Sequence, residues 1–519
     1  MKLNLKQCAV VAILCMLWFT LVRSADVPCA ARAVANNSVL CVCTKDYCDT
    51  VTRDEPSEGK YVSYVSSEGG MRFNKSTGSL KCFEETSKYP TLTLDPEIKY
   101  QTITGFGGAV TDSAGLNWKN LTDSKLMQHL IDSYCGDSGI QYNMLRVPIG
   151  GTDFSTRAYA YNELPENDAA LTNFTLAPED YEYKIPMIKA CMAAASAPIQ
   201  IVSATWSPPA WMKTNNDFRG YSRLKQEYLQ TYVDYHYKFI EKYAEEEIPI
   251  WGVSISNEPL HGTIGFNTIN TLGWSLDYMA EVTRSMSSKF RNSAAYKDIK
   301  ILALDDQRYT LPLYWTTLIS IYPDLVDYFD GVALHWYYNR YVNASTITRV
   351  MRDYPDKFVI STEACTGAQP TDVLDVDLGS WSRAEEYFVD IMENLNHNVV
   401  GWIDWNLCLN TVGGPKWAGS GVDSPIIINA EAREFYKQPM FYAMGHFSKF
   451  VPRGSQRINV SVLGQTNIQH VAFLTPSNTV VVLLYNDGDK TRINIRLGDK
   501  EARIKVETKS FTTIEMLNQ

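Results

Sequence analysis

Two glutamates close apolar runs that lie far apart in the chain. Ile248 to Pro259 reads Ile-Pro-Ile-Trp-Gly-Val-Ser-Ile-Ser-Asn-Glu-Pro and ends on Glu258, and Lys357 to Cys365 reads Lys-Phe-Val-Ile-Ser-Thr-Glu-Ala-Cys and ends on Glu363. A continuously apolar strand is typical of a parallel sheet covered on both faces. A charge at its end must be paired or put to use. Two carboxylates delivered by two strand ends onto one rim are the minimal equipment for cleaving a glycosidic bond, one protonating the leaving oxygen and one attacking the anomeric carbon. Asn257 adds an amide that can hold the hydroxyl next to that carbon, a contact that tightens in the transition state. The acid needs a raised pKa and so a place away from cations, whereas the nucleophile must stay ionised. Glu258 is expected as acid/base and Glu363 as nucleophile. One such glutamate alone would be read as a helix cap or an arginine partner; the matched pair favours chemistry. The chain has no H-E-x-x-H, P-loop or G-x-S-x-G, and Gly105-Phe-Gly-Gly108 lacks the third glycine of a dinucleotide fingerprint. Seven scattered histidines suggest no metal site, and His335 reads as a hydrogen-bonding rim residue. No metal and no cofactor is expected.

The elements that must carry these residues repeat. Strand-like runs at Thr102 to Ala109, Tyr142 to Ile149, Ile199 to Trp206, Ile248 to Ser256, Lys300 to Asp306, Phe329 to Trp336, Lys357 to Glu363 and Val399 to Trp405 alternate with amphipathic stretches such as Lys225 to Glu246 and Ser382 to Asn396. Such a strand–helix repeat closes most simply into an α/β fold of the (β/α)8 TIM-barrel type, with its site on the rim where strands end. The candidates fall at that end: Arg146 and then Asp153 with the second strand, Trp206 with the third, Asn257 and Glu258 with the fourth, His335, Trp336 and Tyr337 with the sixth, Glu363 with the seventh, and Trp402, Asp404 and Trp405 with the eighth. Glu431 to Val451 is expected as the last barrel helix. Beyond it, Val471 to Leu474, Thr479 to Tyr485, Arg492 to Leu497 and Ile504 to Glu507 read as short strands, with Asn486-Asp487-Gly488 as a turn. The expected division is a cysteine-rich β module at 25–50, a β-sandwich from 51–98 plus 452–519, and the catalytic barrel at 99–451.

At 519 residues the chain exceeds one hydrophobic core. A net charge of -10 and a pI near 5.4 argue against nucleic acid as a partner. The aromatic share is 12%, with 12 Trp and 31 Tyr, and such rings are the usual platform for a sugar face, although most rings serve core packing. Met1 to Ser24 has a basic start, an apolar stretch and a small-residue cleavage point, the pattern of a secretory signal peptide, and the mature protein is expected to be soluble. Of 11 cysteines, Cys8 and Cys15 lie in that leader. Cys29, Cys41, Cys43 and Cys48 crowd together as in a stapled module. Four cysteines allow three connectivities, and a zinc knuckle is the competing reading, though two clean C-x-x-C pairs are missing. Cys82, Cys135, Cys191, Cys365 and Cys408 are expected as buried thiols. Sequons at Asn36, Asn74, Asn120, Asn173, Asn343 and Asn459 fit a glycosylated lumenal or secreted protein.

Gly105-Phe-Gly-Gly-Ala109, Asn257-Glu-Pro259, Leu334-His-Trp-Tyr337, Ser361-Thr-Glu-Ala-Cys365, Gly401-Trp-Ile-Asp-Trp-Asn-Leu407, Val422-Asp-Ser-Pro425 and Tyr436-Lys-Gln-Pro-Met-Phe-Tyr442 resemble glycoside hydrolase family 30, in particular its acid β-glucosidases. The resemblance runs from the cysteine module to the C-terminus. It implies a retaining double displacement on glucosylceramide, with Glu258 as acid/base and Glu363 as nucleophile. It further implies that Asp153, Trp206, Asn257 and Trp405 hold the glucose, that Arg146, His335 and Tyr337 support the glutamates, and that Cys29 pairs with Cys41 and Cys43 with Cys48. The implied setting is the lysosomal lumen, reached by the secretory pathway and a sorting receptor, with docking on anionic membrane and help from a saposin-like activator. The chain departs from the family's pattern where Ser420 stands between two glycines in place of a glucose-binding Asn, and where Asn267 and Ile269 follow Phe266 in place of aromatics. A secreted relative acting on another β-glycoside, such as a glucan or a steryl or aryl glucoside, is the alternative. A non-catalytic carbohydrate-binding protein comes last, because both glutamates are intact.

Overall fold

Eight short parallel strands pair in sequence and close on themselves in the computed structural model, which describes residues 26–83, 88–368 and 372–518. The expected leader lies outside these residues. We number the barrel strands β1 (Gly105–Ala109), β2 (Met144–Ile149), β3 (Gln200–Thr205), β4 (Gly252–Ser254), β5 (Lys300–Gln307), β6 (Gly331–His335), β7 (Phe358–Glu363) and β8 (Val399–Asn406). β8 pairs with β1 to complete the (β/α)8 barrel. Nearly every strand residue is buried, because side chains fill the inside while helices cover the outside. Met144, Val202, Leu302, Ala333, Ile360 and Ile403 form one such inner layer. Outside, Leu229–Glu245 buries Tyr232, Tyr235, Phe239 and Tyr243 on a single stripe.

β1 explains the glycine motif. A Cβ on Gly107 would stand 1.8 Å from the Met144 carbonyl oxygen, so glycine is what lets β1 lie against β2. The motif serves close strand packing rather than a nucleotide.

Several boundaries differ from those expected. β1 begins at Gly105, since Thr102 ends the strand Thr91–Thr102 of a different sheet. The stretch from Glu431 is no single helix: Glu434–Lys437 is a strand, and the helix Pro439–Ser448 starts only at its proline, a residue tolerated in the first turn but not the interior. That strand belongs to a five-stranded sheet ordered Ala31–Arg32, Leu40–Cys43, Glu434–Lys437, Ile426–Asn429 and Cys408–Asn410. The cysteine-rich segment is therefore stitched to residues that follow β8. Its disulfides join Cys29 to Cys41 and Cys43 to Cys48, which leaves no thiolates for zinc.

A third disulfide, Cys135–Cys191, ties the end of the helix Ser124–Tyr134 to the helix Ile185–Ala194. These two cysteines are thus not thiols. Cys365 and Cys408 are buried and free as expected, whereas Cys82 is exposed, since the two-residue edge strand Lys81–Cys82 has little to cover it.

The accessory β-sandwich is assigned as one ten-stranded sheet that interleaves both ends of the chain. Thr91–Thr102 lies between Gln456–Leu463 and Thr491–Leu497, and Ser510–Leu517 between Lys60–Ser67 and Thr479–Asn486. Leu92, Val482, Ile495, Val506 and Ile514 fill its core. It meets the barrel where Phe388 and Trp381 of the helix Trp381–Asn396 stack on Phe511, with centroids 4.2 and 4.5 Å away. Asn36, Asn74, Asn120, Asn173 and Asn343 are exposed and Asn459 is partly covered.

Candidate active site

Arg146 is the hub of the rim. It points from the middle of β2 and is fully buried, an expensive position unless every charge finds a partner. One Nη is paired with Glu363 at the end of β7. The other donates to Asn257 Oδ1 at 2.7 Å and to Asp305 Oδ2 at 2.9 Å. One guanidinium thus ties β2, β5, β7 and the loop after β4 together. Burial acts to lower its pKa, but Asp305 and Glu363 more than compensate and raise it. Asp305 also accepts from Ser254 and Thr362 hydroxyls, each at 2.6 Å. Burial would raise its pKa, yet Arg146, then His335 and Ser254, hold it well below the usual carboxylate range.

The two glutamates have different surroundings. Glu363 accepts from the Tyr337 hydroxyl at 2.7 Å besides pairing with Arg146. Glu258 Oε1 accepts from Gln307 Nε2 at 2.7 Å and faces His335 Nδ1 at 3.0 Å, while Oε2 lies 2.5 Å from His261 Nδ1. His335 is fixed from behind by Asp305, 3.1 Å from its Nε2. Glu258 does not sit away from cations, as the sequence reading expects of an acid. Burial acts to raise its pKa, but His261 and then His335 outweigh that and hold it well below its usual range. The paired histidines move the other way, His261 to about 9 and His335 to about 10.

The backbone here is strained in a concentrated way. β4 stops at Ser254, so Asn257 and Glu258 stand on the loop beyond it, and Glu258 has φ 42°. Facing it, Leu304 (φ 66°) and Asp305 (φ 55°) occupy the same left-handed region where the β5–β6 register shifts. The Glu258 amide donates to the Asp305 carbonyl at 2.9 Å and locks the two irregularities together. Non-glycine residues hold such conformations only where surrounding contacts compel them, most often at functional sites.

A cleft of about 440 Å³ opens over the pair, within the usual range for small-molecule sites. Trp206 and Trp405 stack there at 5.1 Å, and the Arg146 guanidinium lies 4.8 Å from the Trp206 ring. Asp153 also lines it, and burial, followed by the Glu363 charge, pushes its carboxyl up to about 7. Burial and Glu258 place Asp306 at about 7 as well. Oxygens of Glu258 and Glu363 and one nitrogen of His335 lie within 4.8 Å of one another. Each is already engaged by a protein group, and Arg146 supplies the positive charge.

Arg146, Asp153, Trp206, Asn257, Glu258, His335, Tyr337, Glu363 and Trp405 are thus brought to one rim. Trp336, Trp402 and Asp404 are not. The indole of Trp402 donates to Asp390 at 2.9 Å, Asp404 accepts from Tyr387, and Trp336 packs against both aromatics in the helix layer. Ser420 and Ile269 line the cleft, while Phe266 stands 87% exposed. Asp305, Asp306, Gln307 and His261 were missed from sequence. The first two carry the same signal as the glutamates, an apolar run ending in charge.

A carboxylate pair on the rim of a (β/α)8 barrel, under stacked indoles, places the protein among the glycoside hydrolases. It belongs to glycosyl hydrolase family 30: residues 103–451 match the family's TIM-barrel domain and residues 454–514 its beta sandwich domain. "Putative glucosylceramidase 3" of Caenorhabditis elegans is 40% identical over 474 residues, covering 88% of each chain. The "Lysosomal acid glucosylceramidase" of Mus musculus is 38% identical over 466 residues, 88% of this chain and 89% of the mouse protein. The crystal structure of SrfJ from Salmonella typhimurium superposes with a TM-score of 0.80 at 24% identity, over 89% of this chain and all of that one.

Proposed function

We propose that the protein is a retaining β-glucosidase that cleaves glucosylceramide into glucose and ceramide. The observation that carries the mechanism is that one oxygen of Glu258 and one of Glu363 lie within 4.8 Å of each other. Carboxyl groups about 5–5.5 Å apart suit double displacement, whereas inversion needs about 6.5–9.5 Å to admit a water. Arg146 and Tyr337 hold Glu363 aimed at the reacting carbon. It attacks the anomeric carbon while Glu258 protonates the leaving oxygen, and a covalent glucosyl-enzyme forms. Glu258, now a carboxylate, takes a proton from water, which releases glucose from Glu363. Asn257, oriented by Arg146, holds the hydroxyl beside the reacting carbon. Trp206, Trp405 and Asp153 grip the sugar.

The substrate reading is supported by the names of the worm and mouse relatives, and the lysosomal one by the mouse relative. Docking on anionic membrane, a saposin-like activator and a sorting receptor belong to the same proposal. A second reading, a secreted glycosidase for another β-glycoside or glucan, is favoured by one feature: the cleft wall at Gly419-Ser420-Gly421 carries almost no side chain.

The test is glucose release from glucosylceramide in anionic vesicles near pH 5, with and without a saposin-like activator. The wild type should release glucose and Glu363→Gln should not. Glu258→Gln should form the glucosyl-enzyme from a dinitrophenyl glucoside, whose leaving group needs no proton, yet fail on the lipid. Equal losses for both variants on the dinitrophenyl substrate would sink the role assignment, and wild-type activity on β-glucans alone would favour the second reading.

A further inference from the structure

The two histidines at Glu258 are not equivalent. His335 is fully buried and held between Glu258 and Asp305. The His261 side chain is 42% exposed at the cleft mouth, and its Nδ1 makes no conventional hydrogen bond among the described residues. What Nδ1 meets is Glu258 Oε2, the oxygen that Gln307 and His335 leave open.

The placement of His261 is built into the chain. It begins a single turn of 3-10 helix, His261–Thr263, closed by its amide donating to the Glu258 carbonyl at 2.8 Å. A Cβ on the next residue, Gly262, would stand 2.0 Å from the Gly273 amide nitrogen. The turn is therefore seated against the Leu272–Gly273 backbone. A pinned main chain carries a half-exposed ring exactly three residues past the carboxylate, where a departing aglycone must pass.

We propose that His261 is a positioning residue that stores the acid/base proton, holding it on Nδ1 in the empty site and returning it to Glu258 Oε2 when a substrate turns the imidazole aside. The inference rests on the glucosidase reading. In the first half-reaction the Nδ1–H bond breaks and the Oε2–H bond forms, so an imidazolium and carboxylate become neutral imidazole and carboxylic acid. The glycosidic C–O bond then breaks with its electron pair on oxygen, which takes that proton as Glu363 bonds to the anomeric carbon. In the second, water gives a proton to Oε2 and its oxygen bonds to that carbon, the Glu363–carbon pair returns to the carboxylate, and the proton passes back to Nδ1.

Charge around the ring supports this. Asp306 at the end of β5 and Glu363 at the end of β7 favour the cation besides Glu258. His335 on β6 and Arg146 on β2 oppose it, and the buried Asp305 that pairs with both offsets them in part. Tyr309, also on the cleft wall, stays a neutral phenol because burial pushes it up to about 12. His261 is accordingly raised to about 9. Once the ring leaves, burial is opposed by His335 alone, and Glu258 takes up the proton more readily than beside both cations. The pair thus keeps one transferable proton well above the pH at which a lone carboxylic acid would lose it.

Profiles of kcat/KM against pH test the idea on His261→Gln and His261→Ala, with methylumbelliferyl and dinitrophenyl β-glucosides as substrates. With the first, the basic limb should move at least about one pH unit to the acid side in both variants, about a tenfold loss above it. With the second, which departs unprotonated, the limb should not move, whereas a merely structural defect would lower both. Histidine-labelled NMR gives a readout independent of activity: the His261 resonance, assigned by its absence in His261→Gln, should titrate near 9 and fall to about 6.5 in Glu258→Gln. Coincident limbs, or an ordinary His261 titration in the wild type, would overturn the inference. If the wild type cleaves neither glucoside, the glucosidase reading fails by itself, and the NMR titration still decides where the proton rests.

Discussion

Asp305 shows how much of this site depends on a residue that touches no substrate. It balances Arg146, fixes His335 and fills its remaining acceptor positions with Ser254 and Thr362. Asp305→Asn removes one charge of a buried set and leaves Arg146 to Glu363 alone. Losing one partner of a buried ion pair costs about 3–5 kcal/mol, and denaturant unfolding should show a loss of that order, with kcat falling more than KM. Because the folded Asp305 has a depressed pKa, its stabilisation is full above its unfolded value of about 3.9 and is lost only as pH falls through the lower folded value. The deficit of the variant should therefore be as large at pH 5 as at pH 7; a deficit confined to neutral pH would contradict the assignment. Glu258 and Glu363 were legible because a charge ending an apolar run is conspicuous. Asp305 obeys the same rule inside the run Lys300 to Asp306, but two adjacent aspartates at the end of a strand do not say which of them faces the site. His261 was not legible, since only the seating of a loop turn brings it to Glu258.

At the scale of elements, strand order and barrel closure could be read from periodicity, because fully buried strands are apolar throughout. The hairpin Ile426–Asn429 with Glu434–Lys437 could not, since it precedes a helix without a break and pairs with Leu40–Cys43 from the far end of the chain. Nor could the Cys135–Cys191 bridge, because spacing says nothing of pairing. That bridge closes a loop of 56 residues, and chain entropy alone gives it about 4 kcal/mol. It joins two outer helices away from the rim. Cys135→Ser with Cys191→Ser should therefore lower stability by up to about 4 kcal/mol and leave kcat at low temperature unchanged. A non-reducing peptide map should recover the linked pair from the wild type, and two separate thiol peptides there would refute it.

The molecule as a whole carries a pH preference written in its buried groups. Burial raises Asp153 and Asp306 to about 7, and Asp112 to about 6 despite the nearby Lys184. For such carboxyls the folded state binds the proton more tightly than the unfolded chain, so stability falls as pH rises from about 4 through each folded value. His261 and His335, raised in the fold, act in the same direction: their contribution is full below about 6.5 and is lost as pH climbs through 9 and 10. His236 and His446 oppose this, since burial lowers them to about 4 and about 3 and their neutral forms cost stability only as pH drops below about 6.5. At pH 6 that opposing effect has reached roughly 0.8 kcal/mol for each histidine, but each of Asp153 and Asp306 has recovered roughly 1.4 kcal/mol relative to pH 8, and His261 and His335 add to the same side. Thermal unfolding should consequently have a higher midpoint at pH 6 than at pH 8, by a few degrees at roughly 1 °C per kcal/mol for a chain of this size. Asp153→Asn should narrow that gap by its own share without reversing it. A midpoint at pH 8 equal to or above that at pH 6 would mean that these carboxyls are ionised in the folded protein, and the stability of this chain would carry no preference for acid conditions.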